Sequence, residues 1–290
     1  MTSAHEAMTR ILDVIERLSE RPYRTNFILL GEPGTGKDGL ARALAHLSCP
    51  SGAQVRYDVA GFPEDEALDI LCGSGRRGGV AEAASGGTIL IEEAAGLGPR
   101  VQAALLRLLK TGRCERRGTA IAGARTDDDS DGDEPGAKSR RLDVRIVAMS
   151  DRDLHAEMTA GRFRNDLYYR LARVVLCLPP LRERKDDIGP AVIWMGNRIL
   201  RAAGVPLALL GPEDYRQATP EDRDHAIALD PGAVQLLTQQ PWPGNFRELE
   251  TVLERALLLY RPGGRLGAAE IAAALEDGGR TPAGPRHSAI

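Results

Sequence analysis

The chain has 290 residues, a formal net charge of −3, and only 4% aromatic residues. That length buries a core large enough for one α/β module with a smaller helical appendage. The mild acidity argues against a general nucleic-acid surface, and the scarcity of aromatics against a stacking platform for single strands.

Met8, Ile11, Leu12, Ile15 and Leu18 recur at helical spacing, so the chain opens with an amphipathic helix rather than a signal peptide. Phe27 to Leu30 is a short apolar run that stops at glycine, and Leu40 to Leu47 resumes a helical pattern. Val55 to Val59 alternates like a strand, and Thr88 to Ile91 is an apolar run ending in two acids. Residues 99–110 place Val101, Leu105, Leu108 and Leu109 on one helical face. Val144–Ala148 and Val174–Leu178 are further buried-strand candidates. Strands alternating with helices predict a parallel sheet flanked by helices. After Pro179 and Pro180 the strand signal ends, and helical patterns over 187–203, 231–240, 245–260 and 268–275 predict a separate helical subdomain. The domains expected are therefore 1–180, 181–277 and a disordered Gly/Pro-rich tail over 278–290.

Residues 125–141 read as an inserted acidic, solvated loop, too polar to bury a core of its own. Residues 211–228 form a second polar excursion. Cys49, Cys72, Cys114 and Cys177 include no C-x-x-C pair, which suits reduced thiols and offers no metal site. No apolar run approaches the ~18 residues of a membrane span, so a cytoplasmic protein is expected.

The strongest motif is Gly31-Glu32-Pro33-Gly34-Thr35-Gly36-Lys37, which follows a strand and opens a helix. Glycines let the backbone wrap phosphate oxygens, the helix N-terminus adds partial positive charge, and Lys37 reaches the terminal phosphates. ATP with Mg2+ is the ligand this pattern predicts. The hydroxyl residue that usually follows the lysine as a magnesium ligand is here Asp38. Further on, Ile89 to Glu93 has the form of a Walker B strand delivering two acids to the nucleotide. Glu92 would hold magnesium through water, with Asp38 as a second ligand, and Glu93 would polarise the attacking water. Aspartate is usual where Glu92 stands, and the extra methylene matters to a cation that tolerates little geometric error.

Three later blocks are more specific: Gly161 to Leu171 (GRFRNDLYYRL), Leu178 to Ile188 (LPPLRERKDDI) and Pro241 to Glu250 (PWPGNFRELE). In this order behind a phosphate loop, they closely resemble the AAA+ ATPase domain of sigma-54-dependent transcription activators over about residues 5–260. The resemblance implies that Arg164 and Arg170 project into a neighbouring subunit's ATP site within a ring, hexameric by resemblance. Guanidinium suits that task because it is always charged and grips phosphate in a forked geometry; the plainer reading is surface pairing with Asp166. Arg247 matches the lid arginine that senses nucleotide state. Ser150 and Asp151 stand where the family has Thr-Asn. Asp58 stands where an asparagine commonly restrains the catalytic glutamate.

In these activators a Gly-Ala-Phe-Thr-Gly-Ala loop touches sigma-54. The matching interval here, between Gly73 and Gly86, is shorter and has neither the Phe nor the Thr. No helix-turn-helix pattern follows the lid and no sensory domain precedes the ATPase, so no direct DNA-binding domain is expected. Three functions stay open: a diverged ATPase in sigma-54 transcription control, acting on sigma-54 RNA polymerase or beside a full-length activator; a nucleotide-binding regulatory subunit with little turnover; or a motor repurposed for another target through the 125–141 loop. Lys37, Glu93, Arg164, Arg170 and Arg247 favour an ATP-using machine. Asp38, Asp58, Glu92 and Asp151, with the lost loop, favour the second.

Overall fold

The apolar runs assemble as a sheet whose central strands are covered on both sides. In a computed structural model that describes residues 4–20, 25–59, 61–75, 77–115, 141–259 and 264–279, the chain divides into two compact units, residues 1–32 with 36–178 and residues 33–35 with 179–290. The first unit contains helices α1 (Ala4–Glu20), α2 (Lys37–Ser48), α3 (Glu64–Cys72), α4 (Val80–Ala83), α5 (Pro99–Thr111), α6 (Leu154–Thr159) and α7 (Asn165–Leu171). Its strands are β1 (Phe27–Leu30), β2 (Gln54–Tyr57), the short pair β3 (Gly73–Ser74) and β4 (Arg77–Gly78), β5 (Thr88–Ile91), β6 (Arg145–Ser150) and β7 (Val174–Cys177).

Five of these strands pair in parallel, in the order β2-β5-β6-β1-β7. Alternate residues serve opposite faces, as the strand period of two requires. Ile28, Ile89, Ile91, Ile146 and Ala148 join a core with α3, α5 and α7. Phe27, Leu29, Leu90, Val147 and Met149 join the other core, with Leu18 of α1 and Leu44 of α2. Burial on both faces explains why these strands read as continuous apolar runs.

The second unit contains α8 (Ile188–Ala202), β8 (Ala208–Leu210), α9 (Pro212–Gln217), α10 (Pro220–Asp224), β9 (Ala226–Leu229), α11 (Pro231–Thr238), α12 (Asn245–Glu254), a π-helical turn Arg255–Leu259, β10 (Arg265–Leu266) and α13 (Ala268–Gly279). Its core gathers Ile188, Val192, Ile227, Leu237, Trp242, Leu249 and Ile271. The expectation that strands end at Pro180 is corrected here, because β10, β9 and β8 form a small parallel sheet. β8 and β10, of three and two residues, are too short for any strand period to show, and β9 is a buried run without alternation. Asn197 fixes the edge strand: its side chain donates to the Leu209 carbonyl and accepts from the Leu209 amide, both at 2.8 Å. The polar stretch 211–228 is likewise structured. Proline stands in the first turn of α9 and of α10, where a missing N–H costs nothing. The Thr219 hydroxyl accepts the Asp222 amide at 3.2 Å and caps α10.

A second correction concerns the cysteines. Cys72, the last residue of α3, is joined to Cys114 in a disulfide with Cα atoms 5.2 Å apart; Cys49 and Cys177 are outside any disulfide. A sequence separation of 42 carries no pairing signal; the neighbouring packing of α3 and α5 creates it. Residues 125–140 of the acidic stretch and 280–290 of the tail lie outside the described residues. Among the described residues, no helix is long and apolar enough to cross a membrane.

Candidate nucleotide site

In open parallel sheets, ligands bind beyond the carboxyl ends of the strands, beside a point where chain order reverses. β1 lies between β6 and β7, and the phosphate loop leaves its carboxyl end. Gly36 precedes α2 with φ +98, a left-handed conformation that L side chains rarely adopt. The Gly31 amide donates to the Ser150 carbonyl at 3.2 Å, tying the loop's start to the end of β6. Lys37 donates from Nζ to the carbonyls of Gly31 (2.5 Å) and Glu32 (3.0 Å), which places its ammonium across the loop.

The register of the sheet brings the two acids to the same end. Ile91 of β5 pairs with Ala148 of β6, so Glu92 and Glu93 emerge beside Met149 and Ser150, next to Asp151. Glu93 has φ 49, unusual for a non-glycine residue. Burial raises its pKa above the ordinary carboxylate range, a hydrogen bond and charge repulsion from Asp151 raise it further, and Lys37 pulls it back. The carboxyl of Glu93 therefore keeps its proton to higher pH than a solvated glutamate would.

Asp38 and Glu92 have other partners. Arg56 of β2 donates from Nε to Glu92 Oε1 at 2.5 Å, and its Nη2 ion-pairs with the same oxygen. That Nη2 also lies 3.6 Å from Asp38 Oδ1. Arg42, one turn along α2, donates from Nε to Asp38 Oδ1 at 3.3 Å and from Nη2 to Oδ2. Both acids expected to hold magnesium are thus engaged by guanidinium groups. Among the described residues, no three His, Cys, Asp or Glu side chains converge as a metal-binding group. A divalent cation would therefore compete with these guanidinium groups for the oxygens of the two acids.

α7 carries Arg170, and Arg164 is its N-cap. Arg164 pairs with Asp166 through Nε and Nη2, each at 3.0 Å. The Arg170 carbonyl accepts a hydrogen bond from Asn26 Nδ2, just before β1 and at the opposite end of that strand from the phosphate loop. The structure therefore gathers Gly31, Glu32, Gly36, Lys37, Asp38, Glu92, Glu93 and Asp151, and holds Arg170 away from them.

One residue with a clear positioning role went unnoticed in the sequence. Gln102 of α5 is fully buried. Its Nε2 donates to the carbonyls of Leu97 (2.8 Å) and Arg162 (3.0 Å), and its Oε1 accepts from the Arg164 amide at 2.8 Å. It fixes the backbone from which Arg164 projects. A lone glutamine inside an amphipathic helix otherwise reads as solvent-facing.

Within the second unit, residues 33–35 of the loop are held through their carbonyls. Asn245 Nδ2 donates to Pro33 at 3.0 Å, the Phe246 amide to Gly34 at 3.0 Å, and Arg184 Nη2 to Thr35 at 2.7 Å. Any Cβ on Gly34 would meet the Gly244 carbonyl at 2.3 Å and Arg247 at 3.2 Å, so this approach requires glycine. Trp242 is buried, and its indole N–H donates to the Leu237 carbonyl at 2.8 Å, so it shapes the turn before α12.

Comparison with known proteins follows the same division. The family model described as the sigma-54 interaction domain matches residues 1–126 and 133–177, and that of the AAA+ ATPase lid domain matches residues 212–287. The Nif-specific regulatory protein of Klebsiella pneumoniae is 33% identical over 273 residues, covering 91% of this chain and 45% of that protein. The response regulator FleR of Pseudomonas aeruginosa is 34% identical over 267 residues, covering 89% and 48%. The chain thus spans about half the length of these curated relatives. The crystal structure of NtrX from Brucella abortus, solved with ADP, superposes with a TM-score of 0.72 at 27% identity, covering 97% of this chain and 56% of that one. With more than half its residues matched by the family model, the chain belongs to the sigma-54 interaction domain family of AAA+ P-loop proteins.

Proposed function

We propose that this chain binds ATP at residues 31–37 and, within a hexameric ring, couples that nucleotide to control of sigma-54-dependent transcription in the cytoplasm. Residues 1–180 would handle the nucleotide and 181–277 act as its lid. The observation that carries the reading is the glycine-rich loop that leaves β1, with Gly36 in the left-handed region and the Lys37 ammonium held across it by the Gly31 and Glu32 carbonyls. NtrX crystallised with ATP supports the same ligand here.

In this reading Glu93 accepts the proton of the attacking water once it is ionised. Arg164 and Arg170 act on a neighbouring subunit's nucleotide, which agrees with Arg170 lying at the far end of β1 from its own loop. Arg247 reports nucleotide state to the lid. The partner is sigma-54 RNA polymerase or an activator subunit. The short β3–β4 pair and α4 occupy the interval where relatives of this family carry their contact loop, so direct sigma-54 contact would be reduced.

Calorimetric titration with ATP tests the reading. Lys37→Ala removes a charge-assisted hydrogen bond to phosphate and is expected to weaken ATP binding by about 10–100-fold. Unchanged affinity would overturn the site. Light scattering should show ATP-dependent assembly, and a monomer at every concentration would overturn the ring.

A further inference from the structure

Asp38 is a carboxylate where phosphate loops in general carry a hydroxyl, Asp58 and Glu92 are carboxylates where the family usually has an amide and a shorter acid, and all three act on one side chain. The sheet explains why. Arg56 of β2 pairs directly with Leu90 of β5, so it lies on the face that Leu90 shares with α2. Glu92, two residues beyond Leu90, emerges on that same face, and Asp38 meets it from the first turn of α2. Arg56 hydrogen-bonds Glu92, approaches Asp38, and is further held in its charged form by Asp58.

The Arg56 side chain is 54% exposed, and exposed pairs of this kind contribute little to folding stability. Their consequence is electrostatic. A guanidinium cannot be deprotonated in a protein, and its fork can bridge two carboxylates. Glu92 Oε1 and both oxygens of Asp38 are engaged by Arg56 and Arg42. A divalent cation would compete with Arg56 for Glu92 and with Arg42 and Arg56 for Asp38. Without Arg56, the carboxylates beside the incoming phosphates lose one positive charge, and Arg42 remains on Asp38 alone.

We propose that Arg56 is the resident cation of this site, replacing a divalent metal and letting the chain take metal-free nucleoside triphosphate. The proposal rests on ATP binding at residues 31–37 and narrows its form.

The test is ATP titration by calorimetry on the full chain, in excess MgCl2 and in excess EDTA, with Mn2+ binding followed by electron paramagnetic resonance. The native chain is expected to bind ATP equally in both buffers, within about 3-fold, and to take up no Mn2+ without nucleotide. Loss of one charge-assisted contact corresponds to about 10–100-fold, so Arg56→Gln should bind ATP at least about 10-fold more weakly in EDTA than in MgCl2. Arg56→Lys keeps the charge and should stay close to native. The proposal is overturned if EDTA weakens the native chain 10-fold, if Arg56→Gln shows no more metal dependence than native, or if Arg56→Lys behaves like Arg56→Gln. Absence of ATP binding in both buffers instead sinks the phosphate-loop reading itself.

Discussion

The phosphate loop and the acidic rim beside it sit at neighbouring strand ends but are built from different materials. The loop works through backbone: Gly36 in the left-handed region, an amide of Gly31 fixed to β6, and carbonyls of residues 33–35 held within the second unit. The rim works through side chains. Glu93 is turned toward Asp151, Glu92 and Asp38 toward Arg56, and each contact involves at least one position that departs from the family pattern. Backbone geometry needs a few glycines and a helix start, so it survives most substitution around it. A side-chain rim can be rewired by one methylene or one amide-to-acid change. Nucleotide grip and nucleotide turnover can therefore diverge separately in one fold.

The largest effect that would separate grip from turnover is expected at Arg164. Arginines acting across a subunit interface contribute about 10³-fold or more to phosphoryl-transfer rates. Arg164→Ala should lower steady-state ATP turnover on that scale while leaving ATP affinity and melting temperature near native. Its partner in the free chain, Asp166, is exposed, and their pairing should not influence the fold. Equal turnover in the variant, or loss of folding, would reduce Arg164 to an ordinary surface cation.

Gln102 gives a smaller effect on a different quantity. Gln102→Leu leaves the Arg164 amide and two carbonyls without their partner in a buried place. An unsatisfied buried group costs about 1–3 kcal/mol, so urea unfolding should show a loss of that size. Turnover should fall as well, because the backbone carrying Arg164 is released. A native unfolding midpoint would show that the hydrogen bonds of Gln102 are dispensable.

How much of this could be read in the chain follows the same division between backbone and side chain. Four strands of the main sheet and the loop at residues 31–37 announce themselves through apolar runs and glycine spacing, the central ones being buried on both faces, and β2 announces itself through alternation. The order of strands, and hence the meeting of Glu93 with Asp151, depends on register that no local pattern records. Arg56 reads as a solvent-facing position on an alternating strand, which it is; only the neighbouring strand and α2 supply its partners. The strands β8 and β10 of the second unit are too brief to declare themselves, and the Cys72–Cys114 bond depends on the packing of α3 against α5.

The smallest expected effect is the most diagnostic of the rim, because it concerns one proton. Glu93 holds its proton above the ordinary glutamate range, about 4.3, first through burial and then through Asp151. In the window between that range and the raised value, the folded chain binds more protons than the unfolded one. Stability contributed by this group is therefore full at the acid end and declines as pH rises through the window. The ability of Glu93 to take a proton from water grows over the same interval, so turnover should rise on its acid limb where stability falls. Asp151→Asn removes a like charge and offers an amide donor to the ionised carboxylate, but leaves the burial in place. The acid limb of single-turnover hydrolysis should move to lower pH, and the decline of melting temperature across the window should become shallower. A limb that stays fixed while the melting curve changes would separate the two roles, leaving Asp151 a structural neighbour of Glu93 and the base elsewhere.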